Sequence, residues 1–159
     1  MEFHIRNANK DDMPQVLGLI KQLAVFEKEP DAVEVTVEDL EKNGFGTRPN
    51  FHCFVAEVGG KIEGIALVYN RFSTWKGNVL HLEDLIVNQK LRGHGMGAAL
   101  LDEVVKFGHQ MGVRRISWEV LNWNKPAIDF YVKKGAEVKN QWNVVHLDAL
   151  GIKNYLSKL

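Results

Sequence analysis

A chain of 159 residues with 45% hydrophobic and 25% charged residues fits one globular domain, residues 1–159, that can bury a core without staples. Its 20 basic residues balance 20 acidic ones, so the formal net charge is zero and no positive field exists to drive nonspecific nucleic-acid binding. The single cysteine, Cys53, excludes an internal disulfide and a thiolate metal site, and the histidines at 4, 52, 81, 94, 109 and 146 lack H-x-x-x-H spacing, so no metal is expected.

The opening MEFHIRNANKDD carries charges where a signal peptide needs an apolar core. No apolar run approaches bilayer-spanning length. A soluble, cytoplasmic protein with no membrane partner is expected.

Phe3 to Arg6 reads as a first strand. Asp11 or Asp12 can cap a helix that tolerates Pro14 in its first turn and places Val16, Leu17, Ile20, Leu23 and Ala24 on one face. Thr36-Val37-Glu38-Asp39 has the form of a capping box before a short helix stopped near Gly44. Cys53–Val58 and Ile62–Tyr69 read as strands joined around Gly59-Gly60, and Val79–Val87 as a third. A long helix follows, with Leu100, Leu101, Val104, Val105 and Gly108 on one face. Arg115–Leu121 reads as a strand, Asn124-Lys125-Pro126 as the start of a short helix ending at Gly135, and Trp142–Leu147 as a last strand. The order predicts a mixed α/β fold.

Between the strand ending at Val87 and the long helix lies Arg92-Gly93-His94-Gly95-Met96-Gly97. The first amides of a helix have no internal partners, and the helix dipole adds partial positive charge there. Glycines keep side chains away from an approaching anion, and Arg92 adds a formal charge. Taken alone the turn predicts only anion binding. It is neither the G-x-G-x-x-G of dinucleotide folds nor a P-loop.

Its neighbours narrow the reading. Leu82-Glu83-Asp84-Leu85-Ile86-Val87 precedes it, and Asn122-Trp123-Asn124-Lys125-Pro126-Ala127-Ile128-Asp129-Phe130-Tyr131 leads on to Gly135-Ala136. Together these resemble the GCN5-related N-acetyltransferase (GNAT) family. The family's R/Q-x-x-G-x-G/A pattern is met by Arg92, Gly95 and Gly97. Its N-x-x-A-x-x-F-Y-x-x-x-G-A pattern is met by Asn124, Ala127, Phe130, Tyr131, Gly135 and Ala136. Segments from Leu19–Glu27 through Asn43–Gly46 and His52–Glu57 are similar to the diamine acetyltransferase branch, the spermidine/spermine and thialysine N-acetyltransferases. Ser73–Gly77 and Val120–Asn124 look more like the thialysine type.

The resemblance implies an α/β GNAT fold, a single mixed and largely antiparallel sheet with helices on both faces. It implies acetyl-CoA as cofactor, a small amine as acceptor, and a homodimer. The pantetheine arm would lie along Leu85, Ile86 and Val87. The pyrophosphate would lie on Arg92, Gly93, His94, Gly95, Met96, Gly97 and Ala98, with Asn124, Lys125, Pro126 and Ala127 as a second cofactor-contacting stretch. Glu83 matches the glutamate that takes the acceptor's proton through water, although it could equally serve only to attract the ammonium; His81, on the same strand, is the second candidate base. Tyr131 matches the acid that protonates the departing thiolate, the alternative being a core tyrosine beside Phe130. Phe26, Glu27, Trp75, Trp118 and Glu119 are candidates to line the amine site, as aromatics and carboxylates suit a cation.

Two departures bear on the acceptor. Ser73 occupies the position of an aspartate in spermidine-type members, and the chain around Asn140-Gln141-Trp142 is shorter and lacks their acidic residues. A short amine such as thialysine, a lysine-like compound or a diamine is the first expectation. A polyamine, an aminoglycoside or a protein N-terminus is the alternative. Cys53 lies in an apolar strand with no thiolate stabiliser, which argues for direct attack on the thioester.

Overall fold

The computed structural model describes residues 1–159, and the chain divides into two compact units, Met1–Glu119 and Val120–Leu159. The first unit carries a five-stranded sheet in the order β1-β2-β3-β4-β5. The strands are β1 (His4–Asn7), β2 (His52–Val58), β3 (Lys61–Ser73), β4 (Gly77–Val87) and β5 (Ile116–Ser117). The first three pairings are antiparallel and the last, β4 with β5, is parallel. No helix is long and apolar enough to cross a membrane.

Helices cover both faces of this sheet. On one, α1 (Met13–Phe26) and α2 (Val37–Phe45) bring Met13, Val16, Leu17, Leu19 and Leu40 against Cys53, Val55, Ile65, Leu67 and Ile86. Alternation along β2 and β3 sends Phe54, Gly64 and Ala66 to the other face, where α3 (Met96–Gln110) packs. The Phe107 ring of α3 meets Phe54 edge-on and stacks on His52. Gly64 lets α3 close on the sheet, because a Cβ there would lie 3.1 Å from Met96 Sδ and from Leu100 Cδ1.

The helix starts follow the expected chemistry with one change. Thr36 and Asp39 form the capping box at α2. Asp12 precedes α1 but makes no side-chain cap bond there. It turns instead to Arg6, 2.7 Å away, while Asn9 caps the 3₁₀ turn before it. In α3, Leu100, Leu101, Val104 and Gly108 are buried as expected, whereas Val105 faces solvent.

The second unit holds α4 (Lys125–Lys133) and α5 (Ala149–Leu156). Asn124 caps α4 through Ala127 N–H, and Asp148 caps α5 through Gly151 N–H at 2.7 Å. Two strand expectations are corrected here. Trp142–Leu147 is irregular: it is rich in strand-forming residues, but no strand of the chain pairs with it. The expected Arg115–Leu121 strand contracts to Ile116–Ser117, and Trp118 and Glu119 lie outside regular structure.

Candidate active site

The strand β4 is interrupted where the chemistry was expected. Leu67 pairs with Asp84 and Val68 with Leu82, so Glu83 is an extra residue, a β-bulge. A bulge bends its strand and re-aims the side chain it carries. Parallel pairing with β5 involves only Leu80↔Ile116 and His81↔Ser117, and no strand pairs with that edge of β4 from Leu82 to Val87. The outward-facing backbone groups of the Leu85-Ile86-Val87 stretch thus lie along an edge that an extended amide-bearing arm can pair with.

The strand leads into the glycine turn through a second bulge. Ala56 pairs with Gly64 and Glu57 with Ile62, leaving Glu63 as the extra residue of β3. Asn88 binds Glu63 through its backbone N–H and through its side-chain Nδ2. Further on, Gly93 and Gly95 both have φ of 84°, left-handed values that L side chains rarely adopt. Gly95 is the N-cap of α3 and supplies no side-chain cap bond, so the amides of Met96, Gly97 and Ala98 open the helix without a side-chain acceptor. The Met96 side chain itself is buried in the core; only its backbone is available to a ligand. The His94 ring folds back onto the carbonyls of Leu91 and Arg92.

Arg92 donates from Nε to the Val87 carbonyl at 3.3 Å and sets its guanidinium 4.8 Å from the centre of the Phe26 ring. A cleft of about 530 Å³ lies between α1 and the end of β4, lined by Lys21, Gln22, Phe26, Val87, Lys90 and Arg92 among others. Three cations in one cleft suit a phosphorylated ligand.

Carboxylates gather on the α1 side of β4. Burial pushes the Asp84 carboxyl up to about 6, with the charges of Glu83 and Glu27 adding to it. Burial also raises Glu27. Acidic groups that stay charged only at a cost form a natural seat for an ammonium. Asp84 was not singled out from the sequence; its signal was a charged residue in the middle of an aliphatic strand, next to the glutamate that was.

Around the bulge, the buried His81 ring sits beside Tyr69 and places Nδ1 3.0 Å from Ser117 Oγ. Burial lowers its basicity; Glu83 and Glu119 oppose that effect and Arg71 adds to it. The Tyr69 phenol is raised by burial first and then by the Glu83 carboxylate. Cys53 is buried, and its thiol is pushed up to about 12 by burial and by the charges of Asp84 and Asp12, the wrong direction for a nucleophile.

Of the expected acceptor residues, Phe26 and Glu27 end α1 at this face, and Glu119 is charge-coupled to Tyr69 and His81. Trp75 is not brought to them: it tops the β3–β4 turn, 78% exposed, and Gly77 lies roughly 20 Å along β4 from Glu83. Ser73 Oγ accepts from the amides of Trp75 and Lys76 at 3.2 Å, so the residue in the aspartate position caps the turn. In the second unit, Asn124, Lys125, Pro126 and Ala127 form the start of α4, with Lys125 Nζ 2.9 Å from Asp129. Tyr131 lies on the same helix with its ring 5.3 Å from that of Phe130.

Residues 15–136 match the model of the Acetyltransferase (GNAT) family. Thialysine N-epsilon-acetyltransferase of Bos taurus is 38% identical over 141 residues, covering 84% of this chain and 83% of that protein. Spermidine/spermine N(1)-acetyltransferase-like protein 1 of Homo sapiens is also 38% identical over 141 residues, again 84% of this chain but 20% of that longer protein. Among solved structures, an integron cassette protein from V. cholerae superposes with a TM-score of 0.79 at 21% identity, covering 100% of this chain and 99% of that one. The aminoglycoside N-acetyltransferase AAC(6')-Iy in complex with CoA gives 0.73 at 20% identity, covering 91% and 94%.

Proposed function

Because the chain belongs to the Acetyltransferase (GNAT) family, we propose that it acts as one domain, residues 1–159, that transfers the acetyl group of acetyl-CoA directly to a primary amine of a small cationic molecule. A short acceptor such as thialysine, a lysine-like compound or a diamine fits best. The observation that carries this reading is the bulge at Glu83, which sets a carboxylate beside Asp84 and next to an unpaired strand edge that leads into the glycine turn.

The residues present fit the cofactor. Leu85, Ile86 and Val87 offer the backbone edge. Gly93, Gly95, Gly97 and Ala98, with the backbone of His94 and Met96, offer helix-start amides, and Arg92 brings a charge. Asn124, Lys125, Pro126 and Ala127 supply the family's second contacting stretch. When bound, acetyl-CoA supplies an acyl carbon already activated as a thioester.

A lysine-like ammonium, with a pKa near 10.4, must lose a proton to react, at a cost of roughly 4–5 kcal/mol at pH 7. Asp84 and Glu27 seat the cation, and Glu83 takes the proton, directly or through water. Tyr131 holds the proton that neutralises the departing thiolate. A phenol near 10 and a thiol near 8.5 make that transfer uphill by only about 2 kcal/mol. Trp118 and Glu119 line the acceptor side. The resemblance favours the short acceptor, because Ser73, which caps the β3–β4 turn, stands where spermidine-type members carry an aspartate. A homodimer in the cytoplasm completes the reading; sedimentation would give its mass.

The test is an amine panel with acetyl-CoA, followed by free-thiol release. Turnover on thialysine or short diamines above that on spermidine, spermine and aminoglycosides is expected. Turnover confined to aminoglycosides or peptide N-termini would remove the substrate assignment, and no thiol release with any amine would remove the activity.

A further inference from the structure

The bulge leaves Glu83 half exposed, yet a proton acceptor works only when aimed. Behind it lies a polar chain that runs into the sheet. Ser117 Oγ is 3.0 Å from His81 Nδ1, and His81 Nε2 is 3.6 Å from Glu83 Oε2. The two ends of the imidazole are therefore assigned by what they face. With a carboxylate before Nε2, that nitrogen must carry the hydrogen, because its lone pair would repel the oxygen. Nδ1 then accepts, and the Ser117 hydroxyl donates to it. A neutral ring is the form that burial favours, and the side chain is 7% exposed.

We propose that His81, oriented by the Ser117 hydroxyl, is a positioning residue that holds the Glu83 carboxylate through its Nε2–H. The inference rests on the reading of Glu83 as proton acceptor. At 3.6 Å the contact is longer than a hydrogen bond, and it closes when the ammonium draws the carboxylate into place, as catalytic contacts commonly tighten in the Michaelis complex. The Tyr69 phenol, beside the His81 ring, is a further titratable group that the Glu83 charge reaches. Arg71 and Glu119 are the other charges coupled to the ring. The register makes this arrangement possible. Ser117 and His81 are paired across the parallel β4–β5 ladder, at its last rung before the bulge. Ser117 thus has a use that neither its neighbours nor the glycine turn explain.

The experiment has a structural and a kinetic arm. Two-dimensional NMR of the ¹⁵N-histidine enzyme, with His81 identified by the signal missing from His81→Gln, reads the tautomer in the intact protein. An Nε2–H ring is expected at neutral pH; an Nδ1–H ring overturns the proposal. In the kinetic arm, His81→Phe keeps a ring but no donor, and kcat should fall about 10-fold, the equivalent of one hydrogen bond to a charged group. The acidic limb of kcat/KM should also move to higher pH, because a lost N–H donor disfavours the ionised carboxylate. His81→Gln, with an amide donor, should recover most of the rate and the limb, and KM for the amine should change little in either variant. Unchanged kcat and limb in His81→Phe overturn the proposal. Glu83→Gln separates the two readings. If it retains full turnover, the acceptor assignment of Glu83 falls; if it is inactive while His81→Phe is normal, only the role of His81 falls.

Discussion

Asn88 is fastened to Glu63 twice, by its backbone N–H on the Glu63 carbonyl at 2.8 Å and by Nδ2 on the Glu63 carboxylate at 2.6 Å. The bulge of β3 thereby fixes the point at which β4 leaves the sheet for the glycine turn. Glu63→Ala removes the side-chain bond and leaves the backbone one. KM for acetyl-CoA should rise about 3–10-fold, the loss of a hydrogen bond worth about 1 kcal/mol, with KM for the amine unchanged. Steady-state kinetics with each substrate varied in turn checks this. An equal rise in both KM values would show that the bond serves the whole fold.

Two glycines separate ligand binding from packing. At Gly95 a Cβ meets no atom within 4 Å, but φ of 84° makes any L side chain strained by about 1–2 kcal/mol. At Gly64 a Cβ would lie 3.1 Å from the Ile86 carbonyl oxygen, Leu100 Cδ1 and Met96 Sδ. Overpacking of that kind costs about 1–3 kcal/mol. Gly64→Ala should therefore lower Tm by several degrees, at about 2–4 °C per kcal/mol. Gly95→Ala should lose CoA affinity out of proportion to its Tm. Thermal melts with and without CoA distinguish them.

Alternation in 52–58, 62–69 and 79–87 and the capping box at Thr36 found the sheet and α2, because those signals are local. The bulges at Glu63 and Glu83 are invisible to alternation, since an extra residue shows only when the partner strand is known. Trp142–Leu147 has the pattern of a strand, but a strand needs a hydrogen-bonded neighbour, and the chain supplies none. The strand-like pattern of Arg115–Leu121 outruns the strand itself because the ladder with β4 ends at His81, two residues before the bulge. Helix α5 has a local signal in its Asp148 cap, although no expected element covers it. At the site, Glu83, Arg92 and the glycines were legible through their motif. Asp84 and Ser117 needed the third dimension.

Asp84 predicts opposite effects on stability and binding. Its folded value near 6 is above the ordinary 3.8, so the folded state holds this proton more tightly than the unfolded chain. Stability from this group is fully present below about pH 4, is lost as pH rises through about 6, and stays constant above. A difference of about two units amounts to about 3 kcal/mol. Asp84→Asn should therefore melt higher than the parent at pH 7.5 and at about the same temperature at pH 4. Its KM for the amine should rise, as an ionised partner of the cation is gone. In the parent, KM for the amine should climb as pH falls below about 6. A lower Tm for Asp84→Asn at pH 7.5 would contradict the assignment of burial as the dominant cause.

Tyr131 offers the sharpest test of the leaving-group step. Tyr131→Phe removes one oxygen and keeps the ring that lies 5.3 Å from Phe130. If the phenol holds the proton for the thiolate, kcat should fall about 100-fold, within the range for a lost general acid, while KM for acetyl-CoA and amine changes little. The pH profile adds a signature that packing alone would not give. A protonated phenol is required in the parent, so its kcat should decline at alkaline pH, and that decline should be absent from Tyr131→Phe. Unchanged turnover would assign the proton to water and leave Tyr131 a structural role beside Phe130. A fall in kcat with the alkaline limb intact would place the hydroxyl in orientation of the donor rather than in proton transfer.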